Sequence, residues 1–318
     1  MKRLVAEPSG ALTVEEVVHP PVADVATPAT VRGRVAAYVA LTKPRIIELL
    51  LVTTVPSMVV AQGGWPSWLL VLNTLVGGAL SAGGANAINC YLDRDIDQVM
   101  PRTRRRPLPM HQVEPGRALA FGITLGVVAF AYLWATVNLI SAVLTTIALL
   151  FYVFVYTIGM KRSTPQNIVI GGAAGAFPAL VGWSAVTGTV ELPALALFGI
   201  IFYWTPPHFW ALAMRYEKDY AAAGVPMMPV VYGREETAKH VLLYTFLLLA
   251  MSLVFFSVGR MGPIYLGAAL VLNGIFVYGA IRLYRNTVPA VAWWLFRYSI
   301  YYLALLFGAM ALDRLLLA

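Results

Sequence analysis

Runs of about 20 apolar residues recur along almost the whole chain, and this feature constrains the fold more than any other. They fall at roughly 45–63, 67–91, 117–138, 139–158, 167–187, 192–213, 239–258, 263–282 and 296–313. Each run is long enough to cross about 30 Å of hydrocarbon. With 59% hydrophobic and only 12% charged residues, the chain is not a soluble globular enzyme. We expect an all-α polytopic membrane protein, with nine transmembrane helices around a central cavity.

The distribution of basic residues predicts the orientation of these helices. With nine spans, 21 of the 23 lysines and arginines fall on one face, and only Arg260 and Arg314 fall on the other. The positive-inside rule therefore places the N-terminus and two longer polar loops, 92–116 and 214–238, in the cytoplasm of an inner or plasma membrane protein. The lone cysteine, Cys90, excludes an intrachain disulfide.

The N-terminal segment differs in composition from the rest of the chain. It is rich in proline and acidic residues and lacks the apolar core of a signal peptide. We interpret residues 1–35 as a mobile cytoplasmic tail and residues 36–318 as one intramembrane domain.

The first polar loop opens with oxygen-bearing side chains at helical spacing. Asn89, Asp93 and Asp97 stand at positions i, i+4 and i+8, so a helix places them along one stripe. Two carboxylates and an amide are hard oxygen ligands, and Mg²⁺ bound by such ligands keeps positions open for substrate phosphates. The alternative is a solvated helix end, but carboxylates there oppose the helix dipole. The pattern predicts a Mg²⁺-diphosphate site.

Four arginines follow this acidic cluster: Arg102, Arg104, Arg105 and Arg106. A basic cluster beside a membrane span also serves as a stop-transfer signal, which needs no chemistry. Guanidinium groups bind phosphate in a bidentate manner, however, and these follow the carboxylates closely. We expect Arg102 and either Arg105 or Arg106 to contact the diphosphate.

The segment from Asn89 to Pro109 resembles the first signature of the UbiA-type intramembrane prenyltransferase superfamily. Its sequence, Asn-Cys-Tyr-Leu-Asp-Arg-Asp-Ile-Asp followed by Arg-Thr-Arg-Arg-Arg-Pro-Leu, is more similar to the protohaem IX farnesyltransferase (haem O synthase) branch than to the quinone branches. The segment from Leu41 to Leu50 also resembles that branch. The similarity covers about residues 36 to 315.

This resemblance implies an activity and its substrates. Enzymes of that branch transfer a farnesyl group from farnesyl diphosphate to a vinyl group of haem B, with addition of water, and so make haem O for haem-copper oxidases. Mg²⁺ is the implied cofactor, and the implied surroundings are membrane lipid. Haem A synthase or oxidase assembly proteins are candidate partners, and no nucleic acid is expected.

The remaining candidate site residues lie in later segments. The resemblance implies diphosphate contacts for Tyr156, Lys161 and Arg162, although the two cations also fit a positive-inside anchor. It further implies metal coordination by Asp219, and a contact of Arg215 with diphosphate or a haem propionate. Arg215 occupies a position where other superfamily members carry a carboxylate, so a second Mg²⁺ site is in doubt.

The sixth apolar run contains a histidine beside two prolines. Pro206 and Pro207 are expected to break the helix and to line a cavity. An ionisable residue inside a membrane span is a candidate functional residue. His208 therefore either approaches haem or forms a hydrogen bond between helices, and the sequence does not decide between the two.

Two other functions remain open at this point. One is prenylation of an aromatic quinone precursor, for which a complete second aspartate motif is expected in the loop 214–238. The other, from a different class, is transport of an anionic solute. Transporters tend to place polar groups near the membrane midplane. Here the charges gather at one face instead, which favours an enzyme.

Overall fold

The structure is a computed structural model, and it describes residues 2–6, 12–16 and 30–317. The side chains of 2–6, 12–16 and 45–51 lie outside this description. The helices are α1 (Val31–Thr42), α2 (Pro44–Gln62), α3 (Trp68–Leu92), α4 (Arg94–Val99), α5 (Pro115–Thr136), α6 (Leu139–Leu150), α7 (Asn167–Gly171), α8 (Ala173–Thr187), α9 (Leu192–Arg215), α10 (Glu217–Ala222), α11 (Met228–Val258), α12 (Pro263–Arg285) and α13 (Pro289–Leu317). A π-helical segment, Phe151–Met160, continues α6.

The predicted all-α membrane fold is confirmed for the intramembrane part of the chain. Within residues 52–317, eight helices are long and apolar enough to cross a membrane. They occupy 68–92, 115–136, 139–160, 167–187, 192–215, 228–258, 263–285 and 289–317. The first predicted span corresponds to α2, of which only Val52–Gln62 qualifies as a shorter apolar helix among the described side chains. The count of nine therefore stays a prediction.

Before this bundle, the structure describes a small antiparallel hairpin. Strand β1 (Lys2–Ala6) pairs with β2 (Leu12–Glu16), with Lys2 opposite Glu16 and Arg3 opposite Glu15. Helix α1 then begins at Val31, inside the segment that the sequence analysis treats as a tail. The hairpin and this helix start are features that composition did not predict, while the domain boundary at 35 stays a prediction.

Helix α9 lies at the centre of the bundle, packed against α8, α11 and α13. The prediction that Pro206 and Pro207 break this helix is wrong, because α9 is continuous through both residues. Each proline removes only its own N–H donor, and contacts with α8, α11 and α13 hold the helix in place. The Nε1 of Trp204 donates to the carbonyl oxygen of Ser299 on α13 at 2.8 Å. The prediction failed because the sequence pattern alone does not show these tertiary contacts.

The first polar loop is held by the close approach of α3 and α5. A Cβ atom built at Gly84 would lie 2.7 Å from the carbonyl oxygen of Gly122, so only glycine allows this separation. Small residues at helix interfaces let backbones approach in membranes. The packing fixes the end of α3, where the acidic stripe begins.

The second polar loop is shorter than predicted, because α11 begins at Met228 instead of near 239. Gly233, whose φ of 76° interrupts the helix, follows the short segment 228–232, and the polar residues of α11 occupy 234–240. A hydrophobicity pattern identifies the apolar part of a helix and misses a polar extension. The short helix α10 remains between α9 and α11 and carries Asp219 and Tyr220.

Candidate active site

Asn89, Asp93 and Asp97 form a buried stripe where α3 passes into α4. The backbone N–H of Asp93 donates to the carbonyl of Asn89, and that of Asp97 to the carbonyl of Asp93, both at 2.9 Å. The helical spacing expected from the sequence is therefore present. The three residues are 2%, 0% and 1% exposed, respectively. Buried carboxylates require compensating charge, so their neighbours define the chemistry of this site.

A positively charged side chain contacts each member of this stripe. The Nζ of Lys161 hydrogen-bonds to Oδ2 of Asp93. The Nη1 of Arg106 donates to both carboxylate oxygens of Asp97, at 2.9 and 2.7 Å. These pairs bring together residues from the first loop and from the end of the fourth predicted span. Of the four clustered arginines at 102 and 104–106, Arg106 is the one that joins the acidic stripe.

Lys43 is the third cation that contacts the stripe, and it was not predicted from the sequence as a site residue. Its Nζ donates to Oδ1 of Asn89 at 2.7 Å. Lys43 lies in the break between α1 and α2, with φ 54° and ψ 62°, directly before Pro44. A following proline disfavours the right-handed helical conformation, which ends α1 and turns the lysine inward. Burial lowers the pKa of Lys43 to about 8. In the sequence it stands as a basic residue before a membrane span, within the segment 41–50 that resembles the family branch.

The π-helical segment places two further groups at the stripe. The backbone N–H of Lys161 donates to the carbonyl of Tyr156, five residues earlier, at 2.8 Å. This wider turn puts Thr157 within 3.1 Å of Asn89, with the amide Nδ2 donating to Thr157 Oγ1. Single π-helical turns occur often at functional sites. The π-helical geometry had no recognisable signal in the sequence, and Thr157 was not predicted as a site residue.

Arg162 joins the site through a different carboxylate. Its Nη1 and Nη2 donate to the two oxygens of Asp95 at 2.6 and 2.7 Å, and Nη2 also donates to the carbonyl of Leu92. The hydrogen bonds from Arg162 lower the pKa of Asp95. Arg162 lies 3.6 Å from Oδ1 of Asp93. Arg162 therefore lies at the border of the stripe, and its hydrogen bonds to Asp95 fix the orientation of its guanidinium group.

The second loop reaches the first through Arg102. The Nη2 of Arg102 donates to the hydroxyl oxygen of Tyr220 at 3.3 Å, and its guanidinium lies 5.3 Å from the ring centre of Tyr216. Asp219 is the neighbour of Tyr220 on α10. Among the described residues, no group of three or more His, Cys, Asp or Glu side chains is placed to hold one metal ion. Metal coordination by Asp219 stays a prediction.

Two further candidate residues have separate surroundings. Arg105 is exposed, and no described residue forms an ion pair or hydrogen bond with it. Tyr156 stacks on Tyr152, with ring centres 5.4 Å apart, and its ring packs against Gly171. A Cβ at Gly171 would lie 2.2 Å from that ring, so the glycine makes room for the tyrosine.

His208 lies between α9 and α13, away from the contacts of the acidic stripe. Its Nδ1 is 2.7 Å from Ser299 Oγ, and its ring stacks on Trp204 with centres 4.3 Å apart. Ser299 Oγ donates its own proton to the carbonyl of Phe296 at 2.6 Å. The hydroxyl therefore accepts from His208, which places the proton of a neutral imidazole on Nδ1. The interhelical hydrogen bond that the sequence left as one of two alternatives is present.

Arg215 ends α9 and packs on an aromatic ring of α13. Its guanidinium lies 4.7 Å from the ring centre of Trp293. Arginine favours the face of tryptophan because of the negative quadrupole of the ring. Arg215 and His208 thus both contact α13, while the acidic stripe contacts the π-helical segment and the first loop.

Comparisons with known proteins agree with this arrangement. The model of the UbiA prenyltransferase family matches residues 50–309. The chain belongs to this family. It is an integral membrane protein and a prenyltransferase by family.

Among curated relatives, a protein named protoheme IX farnesyltransferase from Parafrankia sp. (strain EAN1pec) is 53% identical over 295 residues. The match covers 90% of this chain and 94% of that protein. A relative with the same name from Roseiflexus castenholzii is 52% identical and is matched over 88% of this chain. This chain spans about half, 52%, of that longer protein.

Solved structures show the same fold at low sequence identity. A structure of digeranylgeranylglyceryl phosphate synthase gives a TM-score of 0.75 at 17% identity and covers 88% of this chain and 98% of its own. A UbiA homologue from Archaeoglobus fulgidus, bound to GPP and Mg²⁺, gives 0.62 at 18% identity and covers 86% of this chain and 99% of its own. These likenesses establish the helical architecture.

Proposed function

We propose that this chain transfers a farnesyl group from farnesyl diphosphate to a vinyl group of haem B, with addition of water, to give haem O for haem-copper oxidases. The observation that carries the proposal is the 53% identity, over 90% of the chain, to a protein named protoheme IX farnesyltransferase. The buried stripe of Asn89, Asp93 and Asp97, surrounded by cations, supplies the chemistry that a diphosphate substrate needs.

The charge balance of the site supports a metal-diphosphate substrate. Three carboxylates, those of Asp93, Asp95 and Asp97, face the four cations Lys43, Arg106, Lys161 and Arg162. The surplus is one positive charge. A prenyl diphosphate carries more negative charge than one Mg²⁺ cancels, so their complex brings the opposite sign. Binding of the complex neutralises the surplus without leaving a buried charge unpaired.

One buried oxygen atom of the stripe supports the fit between these residues and Mg²⁺. Oδ1 of Asp93 is fully buried and accepts no hydrogen bond from the described residues, and the guanidinium of Arg162 stays 3.6 Å away. A buried acceptor without a donor is costly, and a cation relieves that cost. Mg²⁺ is commonly held by one or two carboxylates together with substrate phosphates. Asp93 and Asp97 would hold the ion with Asn89, and Asp219 is an additional candidate ligand from α10.

The mechanism follows from where the charges lie. When bound, Mg²⁺ withdraws electron density from the diphosphate and so weakens the bond to the farnesyl carbon. Lys43, Lys161 and Arg106 exchange their carboxylate or amide partners for the oxygens of the departing pyrophosphate. Stabilising the charge that develops on the leaving group is the main catalytic contribution of the protein. The π electrons of the haem vinyl group attack the allylic carbon, whose bond to pyrophosphate breaks, and water then adds to the resulting cation and gives up one proton to the released pyrophosphate.

We assign the remaining candidate residues to the edges of this site. Arg162, held by Asp95, and Tyr156 border the diphosphate. Arg102 connects the first loop to Tyr220, which positions α10 near the substrate, and Arg105 is an outer phosphate contact. Arg215 and His208 lie on the α13 side, where Arg215 would meet a haem propionate. His208 would contact the porphyrin through Nε2, because Nδ1 is used by Ser299.

The proposed location follows from the charge distribution of the sequence. The basic residues gather at the end of the bundle that carries the polar loops, which favours a cell membrane protein with that end in the cytoplasm. The charged diphosphate then enters from water, and the farnesyl chain lies in the apolar interior. Haem A synthase and oxidase assembly proteins are the partners that this product implies.

The test uses the purified full chain in detergent with haem B, farnesyl diphosphate and Mg²⁺, and mass spectrometry of the extracted haem. We expect a farnesylated, hydrated haem from the unaltered protein. Asp93→Ala and Asp97→Ala should lower turnover by at least about 100-fold because they remove ligands of the ion and leave cations unpaired. Thermal unfolding in detergent checks that both variants remain folded.

The matched control is Glu235→Ala, an exposed carboxylate on α11, which should retain normal turnover. Normal turnover in Asp93→Ala or Asp97→Ala would contradict the site assignment. Absence of farnesylated haem would contradict the haem substrate, and prenylation of 4-hydroxybenzoate in its place would support the quinone alternative. Movement of an anionic solute across vesicles without prenylation would support a transporter.

A further inference from the structure

An arginine on α13 faces away from the protein core in the middle of an aromatic surface. Leu295 and Ser299, two residues before and after Arg297, are both fully buried. Positions two apart lie about 200° around a helix, so Arg297 points in the opposite direction. Tyr301, on the same face, is 58% exposed, and Trp294 is 38% exposed. In a membrane this face of α13 contacts lipid.

The depth of Arg297 along α13 separates it from an ordinary charge at a helix end. It stands eight residues after Pro289, where α13 begins, which is about 12 Å along the helix axis. The start of α13 lies at the candidate active site end of the bundle, because Arg215 covers the ring of Trp293. Arg297 therefore lies about two helical turns from that end of α13, at the start of the apolar run 296–313.

A shallow cavity of about 250 Å³ surrounds this arginine. It is lined by Ala290, Trp293, Trp294, Arg297, Tyr298 and Tyr301. No carboxylate belongs to this lining, and within residues 52–317 no described side chain forms an ion pair or hydrogen bond with Arg297. A guanidinium facing hydrocarbon without a partner is costly. Among the described lining residues, the positive charge of Arg297 has no counter-charge, and an occupant that brings one negative charge would complete the pair.

We propose that this cavity binds the phosphate of an anionic phospholipid. Arg297 donates bidentate hydrogen bonds to the headgroup phosphate. Trp293, Trp294 and Tyr301 supply rings that favour the boundary between headgroups and hydrocarbon, and the acyl chains continue along the exposed apolar part of α13. A lipid is the occupant that charge and position favour, because it reaches an outward face without any opening of the bundle. The cavity is separate from the acidic stripe, although its Trp293 also contacts Arg215.

The test is native mass spectrometry of the full chain, released from detergent micelles that contain phosphatidylglycerol or phosphatidylcholine. We expect one phosphatidylglycerol to be retained preferentially. Arg297→Gln should retain it about tenfold less, since hydrogen bonds to a charged group contribute that much. Arg297→Lys, which keeps the charge but loses the bidentate geometry, should fall between the two. Added inorganic phosphate should not displace the lipid, because it brings no acyl chains.

The matched control is Arg260→Gln, which removes another exposed positive charge, located just before α12 and at the opposite end of that helix from α13. It should retain phosphatidylglycerol like the unaltered chain. Equal retention of the two lipids by the unaltered protein would overturn the proposal, as would unchanged retention in Arg297→Gln. Loss of a dimer in Arg297→Gln would identify the face as an interface between copies, and displacement of the lipid by haem would identify a tetrapyrrole surface. Either result would also overturn it.

Discussion

The Nζ of Lys43 donates a 2.7 Å hydrogen bond to the side-chain oxygen of Asn89, although 46 residues separate them in the chain. This contact joins the break between α1 and α2 to the last turn of α3. It places a partly buried cation beside the acidic stripe and makes Lys43 part of the proposed diphosphate site. The contact also holds the oxygen of Asn89 that is proposed to face the metal ion.

Removing the charge of Lys43 tests this assignment. In Lys43→Met, kcat/KM for farnesyl diphosphate should fall about 10- to 100-fold, because one charge-assisted contact to the leaving group is lost. Steady-state kinetics at saturating haem measures the effect. Lys218→Met removes an exposed positive charge at the same end of the bundle and should leave kcat/KM within about twofold. Equal losses in the two variants would indicate a general electrostatic effect.

Metal and diphosphate should bind cooperatively. Lys161 and Arg106 pair with Asp93 and Asp97, so Mg²⁺ alone must displace them and leave them without partners. Pyrophosphate supplies new partners for these cations, and the linkage between the ligands is reciprocal. Thermal unfolding should shift upward with Mg²⁺ and pyrophosphate together by more than the sum of the separate shifts. Chelation of Mg²⁺ should abolish turnover.

Asp97→Asn provides the control for this cooperativity. Mg²⁺ and pyrophosphate still associate in solution, but the variant lacks one carboxylate of the site. We expect the combined shift to be lost. A combined shift of unchanged size in Asp97→Asn would mean that the pair binds elsewhere.

The contact between α3 and α5 gives a prediction about stability. Gly84→Ala places a methyl group 2.7 Å from the carbonyl oxygen of Gly122, and a backbone atom cannot move aside cheaply. We expect a loss of about 1–3 kcal/mol in the free energy of unfolding in detergent. Gly78→Ala is the control on the same helix, since no atom lies within 4 Å of its added Cβ. That change should be neutral or stabilise by up to about 1 kcal/mol.

The hydrogen bond between His208 and Ser299 gives a second stability prediction. In Ser299→Ala, the donor at Nδ1 of His208 loses its acceptor inside the bundle. We expect the free energy of unfolding to fall by about 1 kcal/mol, as measured by denaturation in detergent. Ser257→Ala, an exposed serine on α11, should change it by less than about 0.5 kcal/mol. A larger loss in Ser257→Ala than in Ser299→Ala would contradict the structural role of the bond.

The sequence by itself determined the membrane fold and the acidic stripe, because both depend on local periodicity. Apolar runs of fixed length require helices in a bilayer, since hydrocarbon offers no partners for free backbone groups. The spacing of Asn89, Asp93 and Asp97 follows from helix geometry alone. Patterns of this kind are complete within a few turns of chain, so no tertiary contact is needed to recognise them.

Only the tertiary structure decided which distant groups meet this stripe. Four consecutive or nearly consecutive arginines have equivalent chemistry in the sequence, and Arg106 alone contacts Asp97 in the described part of the chain. Lys43 and Thr157 reach Asn89 through a left-handed residue before a proline and through a π-helical turn. These contacts depend on how separate helices pack, and the spacing of residues along one helix carries no information about that packing.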